Sequence, residues 1–183
     1  MYEGLQTARI FSRFGLRYQL EKIMTERLGW EGRFYEDFEV GDLYRHSPGR
    51  TIIEADNVWF TLLTMNTNPL HFNNDYSSKT EFGRCLVNSA LTLSIVTGMS
   101  VRDVSQNAFA NLGWEEVRLP NPLFVGDTLY AESQVLSKRE SKSNPDVGII
   151  TVKTKGYKQD SATVIEFKRT VMVYKRDKGP KRR

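Results

Sequence analysis

One ten-residue stretch of the chain combines the side chains that acid–base chemistry needs. Residues 64–73 follow an apolar, helix-like run and contain Asn66, Asn68, Pro69 and His71 in the spacing Asn-x-Asn-Pro-x-His. Proline disfavours helical backbone at the residue before it, so the helix is expected to end here and His71 to leave its face. Because histidine is the natural proton carrier at neutral pH, one interpretation is a proton-transfer site. The other is a polar helix end with a structural histidine.

The composition limits the other kinds of chemistry. The chain has 183 residues, of which 39% are hydrophobic and 11% aromatic, enough for the core of one ordinary domain. A single cysteine, Cys85, excludes an internal disulfide framework, which fits a reducing, cytoplasmic location. Two histidines and scattered carboxylates predict no metal site. No apolar run approaches the roughly 20 residues that a membrane-spanning helix needs, so no membrane partner is predicted.

Both ends of the chain are expected to lie outside the main domain. Residues 177–183 form a basic tail that contributes to the net charge of +4 and is predicted to be flexible. No nucleic-acid-binding motif accompanies the tail, so a nucleic-acid partner is not expected. Residues 1–32 are predicted to be an N-terminal extension, helical or partly flexible. Arginines 9, 13 and 17 lie four apart, which is typical of a transit-like or membrane-surface helix, an accessory helix, or sequence upstream of a start at Met24.

The residues between these ends predict an α+β domain. Apolar residues at helical spacing indicate a helix over residues 54–64, with Trp59 and Phe60 expected in the core. A longer helix is predicted over residues 86–104, and it is apolar enough to be buried on most sides. The small residues within it indicate that something packs closely against it. His46 lies in a mostly extended segment and is expected to be exposed.

From residue 107 onward the apolar pattern changes to a period of two, which indicates β-strands. Antiparallel strands wrapped on one buried helix constitute an α+β architecture. The predicted strands are residues 109–119, 129–139, 147–158 and 163–174.

Three short motifs support a more specific interpretation. Asn-Pro-x-His at residues 68–71 is followed by Thr-Glu-Phe-Gly-Arg at residues 80–84, and Val-Gly-Asp-Thr-Leu occurs at residues 125–129. In this order they resemble the MaoC-like dehydratases, also called R-specific enoyl-CoA hydratases, which have a hot-dog fold. The resemblance covers residues 33–176 and implies a single hot-dog domain, with a long antiparallel sheet wrapped around one central helix.

The finer detail of two segments is most similar to one branch of this family. These segments are Leu-Gly-Trp-Glu-Glu-Val at residues 112–117 and Lys-Arg-Glu-Ser-Lys-Ser at residues 138–143. The branch hydrates mesaconyl-CoA or itaconyl-CoA type substrates.

Carried over position by position, the resemblance assigns roles to residues of the motif. His71 matches the catalytic histidine and Asn68 the motif asparagine. Asn66 stands where the family has its catalytic aspartate, and an amide cannot accept that proton, although it can hold a water. At the start of the central helix this chain has Asn88 and Ser89 in place of the family's His-Gly. The Ser89 amide remains available to bind the thioester oxygen at a helix N-terminus.

The resemblance implies reversible hydration of a short, branched or dicarboxylic 2-enoyl-CoA thioester. His71 would be the general acid or base and Asn66 would orient the water. No cofactor is implied beyond the coenzyme A of the substrate, whose phosphates could meet Arg84 or Lys138; Arg84 could instead pair with Glu81. An acyl-CoA site at a subunit interface and a homodimer, or a higher oligomer of dimers, are expected.

Two alternatives remain open at this level. An acyl-CoA thioesterase can share the fold, although such sites use a carboxylate near the central helix, where this chain has Asn88 and Ser89. A non-catalytic or weakly active subunit of a hetero-oligomeric hydratase would explain Asn66 in place of aspartate. Asp75 is a candidate substitute acid, or else a capping residue for the next turn.

Overall fold

A five-stranded antiparallel sheet forms the body of the domain. The computed structural model describes residues 32–180, so the predictions for residues 1–31 and 181–183 lie outside the described residues. The strands are β1 (Leu43–Thr51), β2 (Ala108–Arg118), β3 (Thr128–Glu140), β4 (Val147–Lys158) and β5 (Thr163–Tyr174). Their order in the sheet is β1-β3-β4-β5-β2, with every neighbouring pair antiparallel. β1 and β2 are therefore the two edges.

The helices lie between β1 and β2 in the chain. They are α1 (Glu54–Leu63), the short α2 (Asn74–Ser77) and the central α3 (Ser89–Ser100). Short 3-10 turns occur at Tyr35–Asp37 and Pro69–His71, and a π-helical turn, Val101–Ser105, continues α3. Within residues 32–180, no helix has the length and apolar character needed to cross a membrane.

Alternation of side chains in the strands explains how one sheet face becomes the core. In β5, the odd-numbered residues from Ile165 to Val173 are buried and the even-numbered ones are partly exposed. This is the expected pattern for a sheet with one face covered and one facing solvent. The predicted bounds of β4 and β5 are confirmed, and those predicted for β2 and β3 differ from the observed ones by one residue at each end.

The central helix packs unusually close to the sheet at one glycine. A Cβ atom at Gly156 in β4 would lie 2.7 Å from Cγ2 of Val96 in α3 and 2.9 Å from Cγ2 of Ile165 in β5. Real atoms do not approach so closely, so glycine is required for the helix to reach this depth. Val96 is fully buried as a result and belongs to the main hydrophobic cluster.

The prediction that the central helix is buried on most sides is wrong for one face. Leu91, Thr92, Val96 and Ser100 are buried, whereas the face with Ala90, Ser94 and Gly98 is exposed. The α-helix also begins at Ser89, three residues later than predicted.

Trp59 of α1 is a second correction. It was expected in the core, but its side chain is 67% exposed, whereas Phe60 packs against the main hydrophobic cluster as predicted. The apolar periodicity therefore identified the helix correctly but overestimated how much of it the domain covers.

His46 is a third correction, because it is buried rather than exposed. Its Nδ1 donates to Oδ2 of Asp103 at 2.8 Å, and its Nε2 is hydrogen-bonded to Oγ of Ser133, also at 2.8 Å. Arg33 donates to the other Asp103 oxygen at 2.9 Å, and Ser133 continues to Thr154 at 2.8 Å. Each buried polar group is thus satisfied, which is the condition for burying it without a large penalty. The network ties the π-helical turn to β1 and β3.

Replacing Asp103 with asparagine tests this network. The free energy of unfolding at neutral pH is expected to fall by roughly 1.5–3 kcal/mol, the usual contribution of hydrogen bonds to a charged group. Burial by itself would raise the pKa of Asp103, but the hydrogen bonds from His46 and Arg33 outweigh it and lower the pKa below its usual value. A lowered carboxyl pKa stabilises the fold above about pH 4, and this contribution is lost as the pH falls through the folded-state pKa.

Urea unfolding of the wild type and of D103N at pH values from neutral to acidic measures both effects. The stability of D103N should change less with acidification than that of the wild type. Glu81→Gln is the matched control, since this exposed carboxylate has no ion-pair partner within the described residues. Equal acid dependence in the wild type and D103N would contradict the role of the Asp103 charge.

Candidate active site

The side-chain carboxamides of Asn66 and Asn68 stabilise the loop that follows α1. After the helix, Met65 adopts a left-handed φ of +56°, and the Asn66 N–H bonds back to the carbonyl of Thr61 at 3.0 Å. The Asn66 Oδ1 accepts from the Asn68 N–H at 3.0 Å, and the Asn68 Oδ1 accepts from the Leu70 N–H at 3.1 Å. Asparagine side chains characteristically bond to the backbone two residues ahead in this way. The loop therefore delivers the 3-10 turn Pro69–His71 in a defined position.

His71 has one ring nitrogen engaged and one available. Its Nδ1 lies 2.8 Å from the backbone carbonyl of Leu86, which can only accept, so Nδ1 carries a proton. Nε2 makes no hydrogen bond to any of residues 32–180, and every fully buried side-chain nitrogen or oxygen there has a partner, so Nε2 is open to solvent. In the neutral imidazole, Nε2 is thus the basic nitrogen.

Within residues 32–180, no carboxylate lies within ion-pair distance of His71. The only ion-pair partner of a histidine within the described residues is Asp103, beside His46. Asp75 lies on the surface in the first turn of α2 and pairs with Lys79 at 2.7 Å, while Asn73 caps that helix. Asp75 is therefore neither a partner of His71 nor the cap. Nor does a hydrogen bond join Asn66 to the imidazole, although both lie in one short loop.

Asn57, which the sequence analysis did not single out, connects the parts of this region. It is buried in α1, and its Nδ2 donates to the carbonyl of His71 at 2.8 Å and to that of Leu86 at 3.1 Å. Its Oδ1 accepts from the N–H of Asn88 at 2.9 Å. The only available signal in the sequence is a polar pair, Asn57 and Thr61, spaced by one helical turn within an apolar helix.

The start of α3 presents the second predicted group. Asn88 is the N-cap: its Oδ1 accepts from the Ala90 N–H at 2.9 Å, and its Nδ2 donates to Oγ1 of Thr61 at 3.3 Å. The N–H of Ser89 makes no hydrogen bond within the described residues, as is usual for the first turn of a helix. This amide and the helix dipole favour a negatively charged or polarised oxygen.

A cavity of about 270 Å³ lies at the start of α3 and is lined by Ser89. Leu86, whose carbonyl orients His71, also lines it, although His71 itself is not a lining residue. Its remaining walls come from Phe82, Val87, Thr92, Val164 and residues 119–123 between β2 and β3. No lining residue is charged. Within residues 32–180, no group of three or more histidine, cysteine, aspartate or glutamate side chains could hold a metal ion.

The two predicted phosphate-binding cations differ in their surroundings. Arg84 is exposed, and its guanidinium lies 4.0 Å above the ring of Phe124 rather than against Glu81. The guanidinium edge consequently remains free to bind an anion. Lys138 instead donates to the carbonyl of Phe38 at 2.7 Å and lies 3.7 Å from Glu39, so it holds the first residues of the domain.

With this geometry established, comparison with known proteins identifies the family. A family model described as mesaconyl-CoA hydratase matches residues 16–180. The chain belongs to the mesaconyl-CoA hydratase family. Among its relatives is the mesaconyl-CoA hydratase of Cereibacter sphaeroides, which is 35% identical over 146 residues, or 80% of this chain and 42% of the relative. The predicted resemblance to MaoC-like hydratases is thereby confirmed.

Solved structures confirm the hot-dog fold of this family member. A MaoC domain protein dehydratase from Chloroflexus aurantiacus superimposes with a TM-score of 0.77 at 33% identity, over 86% of this chain and 45% of that one. A protein from Mycobacterium tuberculosis described as a double hot-dog fold gives a TM-score of 0.73 at 22% identity, over 82% of this chain and 47% of that one. The chain thus spans less than half the length of each of these proteins.

Proposed function

We propose that this chain catalyses the reversible hydration of a short 2-enoyl-CoA thioester. The observation that carries the proposal is a histidine whose Nε2 is unprotonated and open, and whose Nδ1 is held by Leu86, a residue that lines the same cavity as Ser89 with its free helix N-terminal amide. Membership of the mesaconyl-CoA hydratase family supports it. The coenzyme A part belongs to the substrate, and the chemistry needs no further cofactor.

In the proposed mechanism, His71 moves the proton and the start of α3 stabilises the charge. Nε2 takes a proton from water while the water oxygen bonds to C3 of the enoyl group. The double-bond electrons move toward the thioester oxygen, which the Ser89 amide and the helix dipole stabilise as enolate character develops. The proton on Nε2 then forms the new C2–H bond as the thioester is restored. During the reaction the charged imidazole keeps its Nδ1–H bond to Leu86, which strengthens when the ring is protonated.

The proposed role of Asn66 is to hold the attacking water by donation. Its Oδ1 already accepts from the Asn68 N–H, whereas its NH₂ group makes no hydrogen bond within residues 32–180, so we assign the NH₂ donor to the water. A donor can bind the water oxygen but cannot remove a proton from it. We propose that Asn68 acts chiefly on the loop, where its Oδ1 accepts from the Leu70 N–H.

A second candidate function has one specific observation in its favour. Asn66 in place of an acid, with no carboxylate of residues 32–180 within ion-pair distance of His71, also suits a non-catalytic subunit that pairs with an active partner. A thioesterase has less support, because no acidic side chain lines the cavity at the start of α3.

Turnover by the purified full chain separates these candidates. Loss of the enoyl-thioester absorbance of crotonyl-CoA and mesaconyl-CoA is measured for the wild type, H71A and N66D. H71A is expected to lower kcat by about 10²–10⁴-fold, the usual contribution of a general acid–base group. N66D is expected to raise kcat, since a carboxylate can keep the loop bond to Asn68 and accept the water proton.

Asn144→Asp adds the same charge in the distant loop before β4 and preserves the acceptor that Asn144 offers to Asp146, so it should leave kcat unchanged. Binding of the CoA esters without turnover in the wild type would instead establish the non-catalytic subunit. Hydrolysis to free coenzyme A would establish the thioesterase.

Arg84 is proposed to bind a negatively charged part of the substrate. Because Phe82 and Leu86, two positions away on either side in the chain, line the cavity, we propose that Arg84 lies near its rim. Burying an unpaired carboxylate within the uncharged cavity would be costly. A dicarboxylic acyl group of the kind named for the Cereibacter sphaeroides relative therefore needs a cation at the rim.

The variant R84Q distinguishes a substrate carboxylate from the coenzyme A phosphates as the anion. If Arg84 binds the distal carboxylate, KM should rise about tenfold for mesaconyl-CoA, equivalent to about 1.4 kcal/mol, and stay unchanged for crotonyl-CoA. Equal increases for both esters would assign Arg84 to the phosphates. Unchanged KM for both would contradict any role in substrate binding, and Arg102→Gln, beyond the far end of α3, is the control substitution.

We further propose that a second copy of this chain pairs along β2. This edge strand has a neighbour on one side only and exposes the apolar side chains of Phe109, Leu112, Trp114 and Val117, and Leu119 directly after the strand is exposed as well. The other edge, β1, contains Pro48, and its register is interrupted between His46 and Arg50, so it is protected against pairing. Proteins in which two such units share one chain support a paired arrangement.

Matched substitutions at the two edges test the pairing. Leu112 in β2 and Leu43 in β1 are each 51% exposed. The wild type is expected to sediment as a dimer or a multiple of dimers, L112E as a monomer, and L43E as the wild type. A monomeric wild type, or dissociation caused by L43E but not by L112E, would contradict pairing along β2.

A further inference from the structure

We propose that Asn57 is a positioning residue for the hydration: it keeps the proton of His71 on Nδ1 and fixes the histidine relative to the amide of Ser89. This inference rests on the proposed function. Asn57 does not line the cavity, so it acts only through the groups that it holds.

The two side-chain N–H groups of Asn57 hold the backbone of His71 and the acceptor of its imidazole. One holds the backbone carbonyl of His71 itself, and the other holds the carbonyl of Leu86, to which the imidazole also donates. A carbonyl oxygen has two lone pairs, so the Leu86 oxygen can serve both donors at once. Because Asn57 constrains this oxygen from the side of α1, the imidazole meets a fixed acceptor. Only a protonated Nδ1 can bind it, which leaves Nε2 as the base.

The Oδ1 of Asn57 holds the other part of the site, the start of α3. It accepts from the N–H of Asn88, the N-cap residue directly before Ser89. A carboxamide is planar and short, so its three hydrogen bonds relate the histidine to the helix start with little freedom. Misplacement of a catalytic group by about 1 Å can cost about 10²-fold in rate. The distance between proton carrier and oxyanion donor therefore depends on this one side chain.

Only an amide of this length satisfies all three partners. Leucine has the same shape but bonds to none of them: it would leave the His71 carbonyl and the Asn88 N–H unsatisfied and would remove one of the two donors to the Leu86 carbonyl. Aspartate keeps the acceptor for Asn88 but opposes a negative charge to two carbonyl oxygens. Within residues 32–180, His71 is the only titratable group that shares a hydrogen-bond partner with Asn57. A carboxylate at position 57 would therefore act on the pKa of His71, raising it.

The test combines histidine NMR with kinetics on the full chain. With ¹⁵N-labelled histidine the protein gives two imidazole signal sets, from His46 and His71, and H71A assigns them. The wild type is expected to show His71 as the single Nδ1–H tautomer. N57L should show a mixture of tautomers and a kcat about 10²-fold lower, with little change in KM.

Asn107→Leu is the matched control, since Asn107 is also buried and also donates from Nδ2 to a backbone carbonyl, that of Arg33, but lies beyond the opposite end of α3. It should destabilise the fold yet leave the His71 tautomer unchanged and kcat within about twofold, well below the change that a misplaced catalytic group causes.

The variant N57D provides a second, independent test of the role of Asn57 if N57L does not fold. Because a carboxylate raises the pKa of the base, the acidic limb of its kcat/KM profile should move to higher pH; a loss of folded protein would lower the profile without moving it. The proposal is overturned if the wild type shows the Nε2–H tautomer, or if N57L or N57D keeps the wild-type tautomer, kcat and pH profile. If the wild type turns over no enoyl-CoA ester, the proposed function fails, while the tautomer comparison still decides the role of Asn57.

Discussion

The close contact between α3 and the sheet at Gly156 determines where the other parts of the site can lie. Val96 and Ile165 occupy the space that a Cβ at position 156 would need, so the helix is anchored on β4 and β5. Protein interiors are packed densely enough that such a contact cannot shift by a small amount without disturbing its neighbours. The N-terminus of α3 is therefore fixed against the β2–β3 connection, and the cavity is the space left between them.

The two histidines flank the two ends of this helix in different electrostatic surroundings. Beyond its C-terminus, His46 is buried against the carboxylate of Asp103, inside a network that includes Arg33. Before its N-terminus, the only hydrogen-bond partner of the His71 ring within residues 32–180 is the carbonyl of Leu86, which lines a cavity without charged walls. Both ring nitrogens of His46 are engaged, one of them by a carboxylate, whereas His71 has only Nδ1 engaged and its Nε2 is open to a ligand. Burial alone does not distinguish them, because both are buried; the partner of the ring does.

The sequence predicted those features that depend on neighbouring residues. Period-two alternation located β4 and β5 to the residue, and the motif spacing singled out His71. The sequence could not predict that His46 is buried, because its hydrogen-bond partner Asp103 is 57 positions away, in a turn with no sequence signature of its own. The role of Asn57 could not be predicted for the same reason, since its hydrogen-bond partners are 14, 29 and 31 positions away in the chain. Trp59 was misplaced because helical periodicity indicates an apolar face but not whether this domain or another molecule covers it.

At position 66, the same loop structure is compatible with either an amide or an acid, although the two differ in the chemistry that they offer. The Asn66 Oδ1 accepts the Asn68 N–H that folds the loop, and an aspartate oxygen could accept the same bond in the same place. The loop geometry that presents His71 is therefore indifferent to whether residue 66 is an amide or an acid. The difference lies in the other terminal group of the side chain, which is the NH₂ donor in asparagine and a second acceptor oxygen in aspartate. This is the group that remains free to bind water. The replacement of the motif aspartate thus alters the chemistry available to the site while leaving its framework intact. It leaves His71 as the only side chain of the motif loop that can carry a proton.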